Sequence, residues 1–424
     1  MPEPRLRRAP HGGGSGYYNG VRRRQTPSYC GVALVCAAVL LPVAAGAQGP
    51  APVALPAAGP ALSLLRGGAL DQRWMTPVAS PLAAPPALDD QSAYAPTRDG
   101  RLVAWDLDSG RTRWQTTVAT TLPVAAGGDL LFAVVSGGIQ ARRASTGAVA
   151  WQRALAGTVA APPYWDTGWL ILSFEGGDLA AFRAADGELL WRAPLGAVAH
   201  VPPAPARDNL YLGLADGRTV ALALKSGQTI WTRELGGVAT GLTALDDQLL
   251  VGTSAGALHS VDLTGGRTRW RWRTGAPIVA AAVADEKRIY VSAYDHILRA
   301  LDRRSGNLRW RRALPHRPAG APVLVGDMVL VPSLATELAA YVATTGAPAL
   351  AMASVSEVAG STHYRLGGPP GGTRLVAVSV EGQLLAFAPR VEPPPVALGD
   401  LPGTAVSEPP PAQAASPVPP PASR

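Results

Sequence analysis

The chain is almost without cysteine: of 424 residues only Cys30 and Cys36 carry a thiol, and both fall in the first 47. Past that stretch, disulfides, thiolate nucleophiles and cysteine-ligated metal sites are excluded together. Charge is scarce too, at 16% of residues, and Lys225 and Lys287 are the only lysines among 38 basic side chains. With 47 Gly and 41 Pro there is little ordinary helix material, so a helical bundle is disfavoured, while 47% hydrophobic residues suffice for a large core. The formal net charge of +8 points to a polyanion only until the positions are read. Six arginines and one acidic residue lie in the first 47 positions, which leaves 32 basic against 29 acidic residues in the remainder. That balance gives no reason to expect nucleic-acid binding.

The amino-terminal segment, residues 1–47, reads as a secretory signal peptide. Arg22, Arg23 and Arg24 precede an apolar run from Gly31 to Leu41 that Pro42 ends, and Ala45 and Ala47 form a small-residue cleavage site. An uncleaved anchor is the alternative. A lipid anchor is not expected, because Tyr29 and Val35, rather than small residues, precede the two cysteines. Residues 48–65 form a Pro/Ala-rich linker, and residues 391–424, with eleven prolines, read as a disordered spacer.

Between these ends the sequence repeats itself. Trp74, Trp114, Trp151, Trp191, Trp231, Trp270 and Trp310 follow one another at 40, 37, 40, 40, 39 and 40 residues, and Leu350 stands at the next place. A glycine lies four residues before each position from Trp114 onward: Gly110, Gly147, Gly187, Gly227, Gly266, Gly306 and Gly346. Each sits in a short polar turn where a positive φ is needed. Upstream come two short apolar strands joined by a second tight turn, such as Asp99-Gly100 or Asp216-Gly217, and an acidic third turn lies before them. Four short strands in about 40 residues is the plan of a propeller blade, and glycine pairs at this spacing forbid the long amphipathic runs of a helical repeat. The tryptophans belong on the outermost strands, where flat rings pack between neighbours.

There are eight such turns and eight outer-strand positions, but offset. The strand at Trp74 has no blade before it, and the last strand, Gln383 to Phe387, has no outer strand after it. The two halves complete one blade. The expected fold is all-β: one eight-bladed propeller over residues 66–390, closed by an amino-terminal strand.

The segments AYAPTRDGRLVAWDLDSGRTRW, LYLGLADGRTVALALKSGQTIW and IYVSAYDHILRALDRRSGNLRW resemble the pyrroloquinoline quinone (PQQ)-like repeat, and the resemblance extends over all eight repeats. The Trp-Asp closure of WD40 repeats is not in register. The resemblance implies either of two branches: quinone-dependent dehydrogenases, or non-catalytic BamB-type periplasmic scaffolds. The first would imply long insertions, a vicinal cysteine disulfide over the cofactor and Ca²⁺ ligands. None has a counterpart here, and the acidic pairs Asp89-Asp90, Asp246-Asp247 and Asp285-Glu286 all fall on one repeated turn, where solvation explains them. Past the amino-terminal segment the histidines, His200, His259, His296, His316 and His363, show no ligand spacing, and His200 is the one placed to face a channel. No glycine pair leads into a helix, so no phosphate loop is formed.

One stretch departs from the repeat average. Arg267, Arg269, Arg271 and Arg273 interleave with Trp270 and Trp272, and Arg309, Arg311 and Arg312 follow one repeat later. Period two places tryptophans inward and arginines outward, as a basic contact stripe for acidic protein, lipid headgroups or polyanions, or as a merely solvated outer strand. The sequence therefore points to an exported, monomeric scaffold in the periplasm or outer cell envelope. Its partners would be envelope proteins, with peripheral membrane contact allowed and a BamB-like part in outer-membrane protein assembly. No catalytic residue, cofactor or metal is assigned. The alternatives are a PQQ-dependent dehydrogenase-like or ligand-binding propeller, and a sensor or adhesion module.

Overall fold

Short two-residue turns between runs of apolar residues leave the chain one way to satisfy its backbone: it folds back on itself, strand after strand. The computed structural model describes residues 70–333, 337–353, 365–367, 374–378 and 383–389. The signal segment, the linker, the proline-rich tail and His363 lie outside them. Among the described residues every regular element is a strand, and the strands form eight four-stranded antiparallel sheets.

Blade 1 consists of Ala87–Leu88, Ser92–Pro96, Arg101–Asp106 and Thr112–Thr117, in that order from the axis outward. Blades 2 to 7 repeat it over residues 125–154, 164–194, 204–234, 239–273, 283–313 and 323–353. Blade 8 takes Arg365–Gly367, Arg374–Val378 and Gln383–Pro389 from the end of the chain and its outer strand, Leu70–Pro77, from the beginning. The closing pairs run from Leu70 with Pro389 to Pro77 with Gln383.

The middle two strands are buried on both faces, as in Ser92–Pro96 and Gln248–Thr253, because each sheet is covered by a neighbour on either side. The outer strands alternate instead, as in Thr268–Arg273, and end the sheet at solvent. Each interface between blades has its own apolar cluster. Leu179, Leu210, Leu212 and Leu222 fill the one between blades 3 and 4.

Turn chemistry follows the sequence closely. Gly100 takes φ 79° in the turn after the second strand of blade 1, where its N–H donates to Thr97 O at 3.0 Å. Blade 6 puts His296 at that place, with φ 59°, a left-handed conformation that glycine adopts without strain.

Candidate functional site

The outer rim is where the sequence placed its tryptophans and its arginines. The seven tryptophans that keep the repeat period all stand on outer strands. The indole N–H of Trp191 donates to Leu224 O of the next blade at 2.7 Å, and Trp74, Trp114, Trp151, Trp231 and Trp310 make the same bond to Leu107, Ala144, Ala184, Leu263 and Ala343. The ring lies flat on the turn glycine of that next blade: a Cβ on Gly227 would come within 2.6 Å of Trp191, and one on Gly306 within 2.6 Å of Trp270. The recurring glycine thus has two duties. It takes the positive φ, and it is the bare floor on which the preceding blade's indole rests. A tyrosine of the second strand supports the ring where one is present: Tyr211 packs at a tilt of 35° against Trp231, centroids 5.8 Å apart, and its hydroxyl donates to the same Leu263 O at 3.0 Å.

Blade 5 breaks this pattern. Leu250 occupies the tyrosine place, opposite Ser260, and buried Gln248 sends its amide N–H to Arg303 O at 3.1 Å. That is the carbonyl Trp270 would have used, and the Trp270 N–H is left without a partner. Ser260 in turn donates to the Gln248 side-chain carbonyl.

The structure divides the arginine stripe. A bulge opposite Ser260 and Val261 interrupts strict alternation, so Arg269 turns to the same side as Trp270. There it pairs with Asp247 at 2.8 Å, and Arg303 of blade 6 meets that carboxylate at 3.1 Å. Partial burial pulls the Asp247 pKa upward, but hydrogen bonds from Arg303 and Arg269 outweigh it and hold the carboxyl below its ordinary range. Arg309 occupies the corresponding place in blade 6 and pairs with Asp302 at 2.5 Å; that bond, with backbone N–H groups of the turn, keeps Asp302 ionised far into acid. Arg312 donates to Gly346 O and Thr345 O, a tie across blades that Arg233 also makes, to Gly265 O. Arg267, Arg271, Arg273 and Arg311 are exposed and make no ion pair among the described residues.

His259 was not singled out by its spacing, yet it is the most unusual titratable group of this rim. It lies on the third strand of blade 5 opposite Arg271, faces blade 4, and is 3% exposed. Neither ring nitrogen makes a hydrogen bond of good geometry, and the Leu235 backbone is close enough only to oppose part of the pKa shift. Burial, then the positive charges of Arg271 and Arg273, lower its pKa to about 4 against a weaker opposing influence of the Leu235 backbone. At the equivalent third-strand places stand Val103 in blade 1 and Val220 in blade 4.

The other sequence candidates have plainer surroundings. His200 lies just before the inner strand of blade 4, its Nε2 2.9 Å from Ala239 O of blade 5. Asp89 accepts from the backbone N–H groups of Gln91 and Ser92 and from the Tyr94 hydroxyl, and Asp285 repeats this with Lys287, Arg288 and Tyr290. These acidic turns anchor the hairpin between first and second strands. A cleft of about 460 Å³ opens beside Asp89 and Arg113, and a more apolar one of about 610 Å³ lies at the rim between blades 2 and 3, where Arg192 covers the Phe174 ring.

Nearest the axis, the described inner strands are short and rich in alanine, valine and glycine, such as Ala125–Gly127, Ala204–Ala206 and Val283–Ala284. The Trp165 ring is pressed against Gly127. No three His, Asp or Glu side chains among the described residues converge as a metal-binding group.

With this geometry in hand, comparison with known proteins is direct. A family model described as "Outer membrane protein assembly factor BamB" matches residues 67–153, 98–247 and 226–392. No curated protein sequence matches the chain. Among solved structures, BamB from Moraxella catarrhalis is 17% identical, with a TM-score of 0.51, over 76% of this chain and 99% of that one. The quinohemoprotein alcohol dehydrogenase ADHIIG from Pseudomonas putida HK5 is 15% identical, with a TM-score of 0.60, over 77% of this chain and 78% of the other. The computationally designed Ika8 protein reaches 0.61 at 13% identity, over 73% of this chain and 97% of that one. At such identities these structures speak for the propeller fold alone.

Proposed function

Because the chain belongs to the PQQ-repeat propeller family described by the assembly factor BamB, we propose that it is an exported, non-catalytic scaffold that holds partner proteins in the cell envelope. The observation that carries this reading is the economy of the blades. The longest fully described connections, such as residues 155–163 and 195–203, are nine residues each and pair back onto the second strand through Val159 with Phe174 and Ala199 with Leu214, with no inserted subdomain. An enzyme built on this ring needs walls for a substrate, and walls need insertions. A binding platform needs only a rigid frame with varied side chains on its turns and rim, which this chain has.

Two measurements test the proposal. Affinity capture from envelope extracts with the purified propeller is expected to retain a defined protein partner. Absorbance titration with PQQ in the presence of Ca²⁺ is expected to show no stoichiometric complex, and a saturable one-to-one complex would overturn the non-catalytic reading.

A further inference from the structure

Every outer strand leaves one edge unpaired among the described residues, and an open edge is a template for another strand. The ladder decides which residues present their backbone there. Thr274 N–H donates to Gly256 O across blade 5. Alternation from that bond turns the backbone groups of Trp270 and Trp272 toward the third strand and those of Arg271 and Arg273 toward the open edge. At the same two places the other outer strands carry at most one arginine. Pro194 in blade 3 and Pro77 in blade 8 remove an N–H donor, and Glu234 in blade 4 brings the opposite charge. Blade 5 alone combines both edge donors with two exposed cations that lack an ion-pair partner among the described residues.

We infer that the free edge of blade 5 binds an extended acidic polypeptide as a fifth strand, with alternate carboxylates facing Arg271 and Arg273. Backbone bonds would supply the attachment, and the charges would set register and partner choice. Symmetric pairing with blade 5 of a second copy is disfavoured, since it would bring arginine against arginine. A polyanion without peptide groups would answer the charges and leave the edge donors unused. The inference rests on the scaffold reading and names the chemistry of its partner.

The probe is a fluorescein-labelled nonapeptide of alternating Glu and Val, followed by anisotropy at low ionic strength. Binding is expected, with at least a tenfold loss when alternate peptide nitrogens are methylated and a similar loss in the double variant R271E/R273E. The charge-matched control R98E/R304E, away from the edge, is expected to retain affinity within about twofold, and thermal melting establishes that both variants fold. No binding, binding indifferent to N-methylation, or equal losses in both variants would overturn the edge site. Recovery of envelope partners by R271E/R273E at the wild-type level would likewise overturn it, while leaving the scaffold reading intact. A PQQ complex would count against the scaffold reading alone.

Discussion

A histidine buried where blades 1 and 4 keep valine carries a cost that depends on pH. Folded, His259 is neutral down to about pH 4; unfolded, it takes a proton below about 6.5. The unfolded state therefore binds more protons between those values, and stability falls as pH drops through that window, by about 3 kcal/mol in total, then levels off. Above pH 6.5 this group contributes no pH dependence. Replacing it by the valine found in blades 1 and 4, His259→Val, should raise stability at neutral pH by about 1 kcal/mol, since two ring nitrogens without a hydrogen bond of good geometry leave the interior, and should flatten the urea midpoint between pH 6.5 and 4. A variant whose midpoint follows the wild-type curve would show that the imidazole is not what titrates.

Within a blade, the indole does its sealing by area and by one hydrogen bond, and blade 5 separates the two. Trp191→Phe removes ring area and the bond to Leu224 O, whereas Trp270→Phe removes ring area alone, because Gln248 already holds Arg303 O. The first is expected to cost about 1 kcal/mol more than the second, read as the difference in chemical-denaturation free energy; equal costs would contradict the assignment of Gln248. Much of the blade was legible from the sequence: the period of the tryptophans, the turn glycines and the count of strands are local patterns written by backbone sterics. What was not legible depends on which face of the sheet a side chain takes. The bulge at Arg269 reverses a strict period-two reading, and Arg312 proved to be a tie to Gly346 rather than a free contact. The double duty of the glycine, floor for a ring 33 to 36 residues earlier, appears only when neighbouring blades are stacked. His259 gave no signal because its burial is decided by blade 4, which spacing alone does not describe.

Across the whole ring, stability is shared between interfaces, and the one made by the first and last strands was readable from the offset between turns and outer strands. Trp74, Val376, Leu384 and Ala386 pack there with residues of blade 1. Removing residues 70–77 uncovers that cluster and deletes an indole whose loss alone costs about 3–5 kcal/mol; the truncated chain should lose its cooperative urea transition or shift it by at least that free energy. An unchanged midpoint would mean that the ring is held shut by its other seven interfaces. The pairing also has a mechanical side. Leu70 sits opposite Pro389, so a pull applied between the two chain ends loads the rungs of that ladder one at a time, as a zipper is opened, rather than shearing them together. A tether gripping both ends would peel blade 8 apart at low force, while the same load applied across any other blade would meet the resistance of an intact sheet.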